Sequence, residues 1–322
     1  RNTELGDWLP REFEVQNDEL VAIAPRCADY YSPDPGLTQT GITSVVSLDL
    51  ADLSTPLGGA TILGNAERVY SNDDVVLVTQ SDYRYVFESG AGEQTIIHRF
   101  DIDGASTTYT ASGAVPGSIH DQFSLDERAG IIRVSTTEQA WSRGVALPTA
   151  PPPSTTPPEP APGGPPRAFP DEPVTDEPSS ENELPPDSTD LVAPAPDPAP
   201  RPMPPAPDPN GPVSRVLTLG TSGNSLEVLG ETEEFGAGEQ IFSTRFLGDK
   251  GYVVTFRRTD PLFVIDLADP ADPHIVGELH IPGFSNYLFP LDDDHLFSIG
   301  QDATLEGVVQ GLALQIFDVS DP

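Results

Sequence analysis

Apolar residues in this chain fall in short blocks, not in helical stripes. Val75–Thr79 (VVLVT), Ile131–Ser135 (IIRVS), Tyr252–Phe256 (YVVTF) and Leu262–Asp266 (LFVID) are rich in β-branched and aromatic side chains. Gly, Asp, Asn or Pro bounds each of them, which is the pattern of strands closed by turns. No segment keeps a 3.6-residue apolar period over the length of a helix. The pattern predicts an all-β chain, and many short strands at even spacing suggest a barrel, a sandwich or a propeller.

A repeat selects among these. Four apolar strands end in aspartate: Val45–Asp49, Ile97–Asp101, Leu262–Asp266 and Leu314–Asp318. Asp49 to Asp101 is 52 positions, and so is Asp266 to Asp318. A second aspartate follows three positions on at Asp52, Asp269 and Asp321, and prolines stand at Pro56 and Pro273. An aspartate carboxylate accepts bonds from the next N–H groups and proline presets φ, so these seven aspartates are expected to build a rigid turn. Each repeat holds four strand patterns, for example 243–247, 251–257, 262–266 and 275–281. Four strands in about fifty residues is a propeller blade.

Composition changes the picture at one place. Pro148 to Pro212 holds 25 of the chain's 37 prolines, with few large apolar residues. Such a segment cannot bury enough surface to offset the entropy of ordering, and is expected to be disordered or polyproline-like. Removing it from the 165 positions between Asp101 and Asp266 leaves 100, room for two repeats, which places a hidden copy at Val216–Gly220 (VLTLG) with Gly220 at the aspartate position. The expected organisation is therefore one propeller, residues 1–147 and 213–322, with about five blade repeats, the first and last incomplete. An acidic Pro-rich insertion, 148–212, leaves between the second and third strands of one blade. Arg1 in place of an initiator Met, and an end inside a repeat, suggest a piece of a longer protein.

Charge excludes a class of partner. The chain has 51 acidic and 16 basic residues, net −35, with Lys250 its one lysine. That field repels phosphate backbones and anionic lipid, so nucleic acid is not an expected partner, whereas cations and basic proteins are favoured. Cys27 stands alone, which rules out an intrachain disulfide. It reads as a small packing residue. No apolar stretch approaches the roughly 18–20 residues of a helical membrane span.

Candidate chemistry is sparse. Asp292, Asp293 and Asp294, followed by His295, form a weak candidate for a hard cation such as calcium, against the plainer reading of a solvated turn. Asp101-Ile-Asp103-Gly104 resembles half a calcium loop but lacks a downstream acidic ligand. His98, His120, His274, His280 and His295 share no ligand spacing, and no nucleophile elbow or Cys/His pair is present. No catalytic residue and no cofactor is assigned. Tyr83, Tyr85 and Phe87 could line a propeller face or pack between blades, and Arg257–Arg258 could mark a basic spot on an acidic disc.

The runs Phe246–Phe256 (FLGDKGYVVTF), Asp260–Asp266 (DPLFVID) and Gly277–Ser285 (GELHIPGFS), continued by His295–Gly300 (HLFSIG) and Phe317–Pro322 (FDVSDP), resemble a family of secreted prokaryotic β-propeller proteins distantly related to WD-repeat proteins. The resemblance implies export or display at the cell surface or in the periplasm, and it brings no catalytic residues. The expected function is a non-enzymatic scaffold that binds a protein or an extracellular polymer. The alternatives are a propeller hydrolase or lyase acting on extracellular polymers, and a cation-dependent adhesion module.

Overall fold

The computed structural model describes residues 9, 12–23, 27–33, 40–52, 58–82, 92–139, 211–256, 260–281, 283–304 and 309–320. Pro56, Tyr83, Tyr85, Phe87, Arg257, Arg258, Asp321 and most of the 148–212 tract lie outside them, so the expectations placed on those residues are not addressed.

The described chain is strand nearly throughout. A hairpin, β1 (Glu12–Gln16) and β2 (Glu19–Ile23), precedes a small sheet of β3 (Tyr30–Tyr31), β5 (Gly58–Ile62) and β4 (Thr43–Ser47). Two complete four-stranded antiparallel units follow: β6 (Arg68–Ser71), β7 (Val75–Asp82), β8 (Gln94–Asp103) and β9 (Ser106–Pro116), then β10 (Leu125–Arg128), β11 (Ile131–Glu138), β12 (Val213–Ser222) and β13 (Ser225–Glu231). A third is β14 (Gln240–Leu247), β15 (Lys250–Phe256), β16 (Asp260–Asp266) and β17 (His274–Ile281). The last unit has three described strands, β18 (Phe284–Pro290), β19 (His295–Ala303) and β20 (Val309–Asp318). These are propeller blades.

Four apolar clusters occupy the four gaps between five successive units. Ala60, Ile62, Val78 and Phe100 fill the first, and Leu77, Ile97, Leu125, Ile132, Leu217 and Leu219 are in the second. Val216, Phe246, Val253, Phe263 and Ile265 are in the third, and Tyr252, Val254, Leu262, Val264, Leu288 and Phe317 in the fourth. Alternate residues of one strand serve two gaps: in β16, Leu262 and Val264 face one way, Phe263 and Ile265 the other. A strand buried on both faces is apolar at most positions instead of at alternate ones, which is why these strands read as near-continuous runs.

Two features depart from the sequence reading. The first repeat is not a regular blade, since β3 pairs parallel to β5. The blades β6–β9 and β10–β13 also join into one eight-stranded sheet through a single parallel pair, Ser112 with Ser225. Glycine permits that approach: a Cβ on Gly113 would stand 2.4 Å from the Leu226 carbonyl oxygen and 2.7 Å from the Leu226 Cβ. Gly113→Ala is therefore expected to cost about 1–3 kcal/mol by overpacking a place where the neighbour is backbone. Gly311→Ala, whose Cβ meets nothing within 4 Å, serves as the neutral control. Urea midpoints of the two variants check this, and equal midpoints would refute it.

β11 and β12 are antiparallel neighbours from Ile132↔Leu219 to Glu138↔Val213, so the chain leaves and re-enters the blade at paired positions. The Arg215 guanidinium binds the Glu138 carboxylate at 2.7 Å and also Glu234, and Thr137 and Ser214 exchange a hydroxyl bond at 3.2 Å. These contacts pin the roots of the intervening segment. Loop closure costs grow slowly with length, by roughly 0.6 kcal/mol per doubling, so a long excursion there leaves the blade intact.

Candidate functional site

The first strands of successive blades approach one another on one side of the molecule: β14 packs on β18, and the turn Gln122–Ser124 before β10 packs on β6 and β14. Asp121 caps that turn, its carboxylate accepting from the Phe123 and Ser124 N–H groups at 2.9 and 3.1 Å, which fixes the direction of Phe123. Between these elements lies a cavity of about 330 Å³ lined by Val69, Tyr70, Ser71, Gln122, Phe123, Leu125, Asp126, Arg245 and Phe246. Its walls come from three blades.

Two arginines stand beside it in different states. Arg133, nearly fully buried, binds the Asp126 carboxylate through Nε at 2.7 Å and through Nη2, and gives Nη1 to the Gly248 carbonyl at 2.6 Å. Its guanidinium also lies 5.3 Å from the Phe246 ring centre. Tyr70 donates its hydroxyl to the same Asp126 carboxylate at 3.3 Å. Burial, above all, holds the Tyr70 hydroxyl proton beyond its ordinary range, and the Asp126 charge adds to this. Arg133, Asp126 and Tyr70 thus form a neutralised pillar.

Arg245 is different. Its guanidinium lies 4.4 Å from the Phe123 ring centre and 5.5 Å from that of Tyr287, which are themselves edge-to-face at 5.3 Å. Nε donates to the Leu288 carbonyl at 2.9 Å and Nη2 to the Tyr287 hydroxyl at 3.2 Å. Among the described residues it has no carboxylate within ion-pair distance. His120 stacks on Phe242 nearby, at 6.2 Å, and its carbonyl accepts from Arg68 at 3.5 Å. The arrangement can hold an anion against Arg245 and an apolar body against Phe123 and Leu125.

The aspartates singled out by their spacing build turns, with differences. Asp49 accepts from the Ala51 N–H at 2.8 Å and the Asp52 N–H at 3.3 Å. Asp266 accepts from Ala268 and Asp269 from Ala271, at 2.8 and 2.9 Å, and Asp318 from the Ser320 N–H at 3.1 Å. The 266–273 turn reaches the neighbouring blade, where Thr218 donates to the Pro270 carbonyl and a Cβ on Gly230 would meet Pro273 at 2.6 Å. Asp101 departs from the pattern. It lies inside β8, which runs on to Asp103, and its carboxylate takes Arg99 Nε at 2.7 Å and the Thr110 hydroxyl at 2.8 Å. Gly220 likewise lies inside β12.

The 292–294 run is a turn before β19. Asp292 accepts from the Asp294 N–H at 2.9 Å and contacts His295 Nδ1 at 2.8 Å. That contact lowers the Asp292 pKa and raises that of His295. Among the described residues, Asp292, Asp293 and Asp294 included, no group of three or more His, Cys, Asp or Glu is disposed to hold a metal ion. His274 and His280 neighbour Asp272 and Glu278, each on its own strand or turn. His98 is fully buried, with Nδ1 2.6 Å from the Ser112 hydroxyl, itself 2.8 Å from the Tyr109 hydroxyl. Among the described residues this serine–histidine pair has no carboxylate partner, and both residues are buried.

Sequence reasoning missed Tyr70, Phe123, Asp126, Arg133, Arg245 and Tyr287. A signal existed for the arginines: in a chain this poor in bases, both interrupt strand-forming runs.

Two curated relatives match the chain over about a third of its length. An uncharacterized protein of Archaeoglobus fulgidus is 50% identical over 96 residues, 30% of this chain and 14% of its own length. An uncharacterized protein of Methanocaldococcus jannaschii is 42% identical over 98 residues, 30% of this chain and 15% of its own. These aligned regions are thus a small part of much longer relatives. Among solved structures, two variants of the Synechocystis apocarotenoid oxygenase overlay with a TM-score of 0.39 at 10% identity, covering 87% of this chain and 54% of theirs. Among the described residues, no helix is long and apolar enough to cross a membrane. A family model described as "Beta propeller domain" matches residues 1–322, in agreement with the four-stranded blades, and the chain belongs to that family.

Proposed function

We propose that the chain is a non-enzymatic binding module of an exported or cell-surface protein, and that it holds its ligand in the cavity between the first strands of its blades. One observation carries this reading: the cavity brings Val69, Phe123, Leu125 and Phe246 together with polar side chains around Arg245, a cation without a carboxylate partner among the described residues. Small-molecule and side-chain sites combine apolar wall with placed polar groups. The cavity's carboxylate, Asp126, is engaged by Arg133 and Tyr70, which removes it from acid or base work and favours binding over hydrolysis. Export rests on the family resemblance. The 148–212 tract is proposed as an insertion that leaves one blade and extends the reach of the module or docks partners by polyproline recognition.

Ser71 lines the cavity from an exposed position on β6. Ser71→Trp should fill the cavity mouth without removing a side-chain contact. In a thermal-shift screen of chemically diverse small molecules, ligands that stabilise the wild-type chain should lose that effect in Ser71→Trp, with the unliganded midpoint little changed. Hits that survive the substitution would place the ligand elsewhere.

A further inference from the structure

We infer that the ligand group recognised in this cavity is a single carboxylate, carried by a small molecule with an apolar, preferably aromatic, body. The inference rests on the binding reading above and adds the chemistry of its ligand.

A guanidinium carries five N–H donors. Arg245 spends two of them, Nε on the Leu288 carbonyl and one of Nη2 on the Tyr287 hydroxyl. Three remain, both on Nη1 and one on Nη2, and the side chain lines the cavity. In a chain with 51 acidic and 16 basic residues, a half-buried arginine would be expected to find a carboxylate by abundance alone. Arg99, Arg133 and Arg215, the other described arginines that are largely buried, all do. Arg245 instead rests on Phe123 and Tyr287, whose ring faces orient the fork without neutralising it. An oriented fork with paired free donors matches a planar carboxylate, which it can take two-handed.

The surroundings favour one negative charge over two. Asp126 also lines the cavity, and a net charge of −35 penalises every additional negative charge brought in from solvent. Arg133 compensates Asp126, so a monoanion meets one uncompensated positive group. Val69, Phe123, Leu125 and Phe246 supply apolar wall for the rest of the molecule, and the Gln122 side chain stands at the rim. A cavity of about 330 Å³ suits a molecule of this size.

The test titrates the 322-residue chain with sodium benzoate and, separately, with benzamide, its neutral counterpart of the same shape, by calorimetry. Benzoate should bind at least about tenfold more tightly, since its hydrogen bonds to the guanidinium are charge-assisted on both sides and those of benzamide are not. Arg245→Met keeps a long stem on Phe123 and should erase the preference, leaving both compounds equally weak. Equal affinity of the two compounds for the wild-type chain overturns the inference without reference to any variant. A preference retained in Arg245→Met, or no benzoate binding at all, overturns it as well. Neutral ligands that bind and are lost in Ser71→Trp, with benzoate silent, would sink the carboxylate and leave the cavity reading standing.

Discussion

Asp126→Ala is expected to destabilise the chain by about 3–5 kcal/mol, the range for breaking a buried ion pair from one side. The cost comes from what is left behind. The Arg133 side chain is 6% exposed and Asp126 is 19% exposed, so the guanidinium would remain in a site where water replaces the carboxylate poorly. Its bond to the Gly248 carbonyl and its place over Phe246 would persist, but neither carries a full opposite charge. Tyr70 would lose its acceptor too. The pillar joins β6, β10, β11 and the turn between β14 and β15, three blades in all, so the loss should appear as a lower urea midpoint of the whole propeller. Removing both charges tests the mechanism: Asp126→Leu with Arg133→Met should recover most of the loss, because a well-packed apolar pair of similar volume is often no less stable. A single variant costing less than about 1 kcal/mol, as exposed pairs do, would refute the burial argument.

The same residues explain what the sequence could reveal. Blades packed on both faces favour near-continuous apolar runs, and four gaps between five units impose a period, so strands, repeat and the hidden copy at Gly220 were all readable. The four-strand pattern 243–247, 251–257, 262–266 and 275–281 falls on β14 to β17, with strand starts one to three residues earlier in the structure. The turns were half readable. Where an aspartate ends the third strand, as at Asp266, its carboxylate turns the chain. At Asp101 and Gly220 the strand instead runs on to a two-residue hairpin opened by Gly104 or Gly223, both at positive φ near 60°. The Gly-Ala and Gly-Asn pairs are hairpin signals independent of the aspartate repeat. The cavity was not readable, because residues 69–71, 122–126 and 245–246 meet only once three blades have packed. The exposed Leu312, Leu314 and Ile316 on the outer face of β20 illustrate the reverse case, an apolar run that reads like the others but has one covered face.

Acid should destabilise the propeller through His98, and the window is set by its environment. Burial lowers the His98 pKa from 6.5 to about 4, because the imidazolium would sit in a dry interior. Among the described residues its Nε2 has no hydrogen-bond partner, and Nδ1 meets a hydroxyl, Ser112, that cannot carry a compensating charge. In the unfolded chain the ring titrates at its ordinary value near 6.5, so the unfolded state gains a proton first as pH falls. Stability is therefore full above about pH 6.5 and is lost progressively down to about pH 4, below which the loss levels off. Between about pH 7 and about pH 4.5 this single group accounts for roughly 2.5 kcal/mol. His274 and His295, whose pKa values are raised by Asp272 and Asp292, act with the opposite sign and are exposed. The measurement is urea unfolding at the two pH values for the wild-type chain and for His98→Gln, which keeps a polar side chain there but cannot take up the proton. The variant should lose some stability at neutral pH and be markedly less sensitive to acid, with the difference between the two pH values reduced by about 2.5 kcal/mol. Identical pH dependence in the two chains would show that His98 takes up its proton equally in both states, and that the acid response comes from other groups.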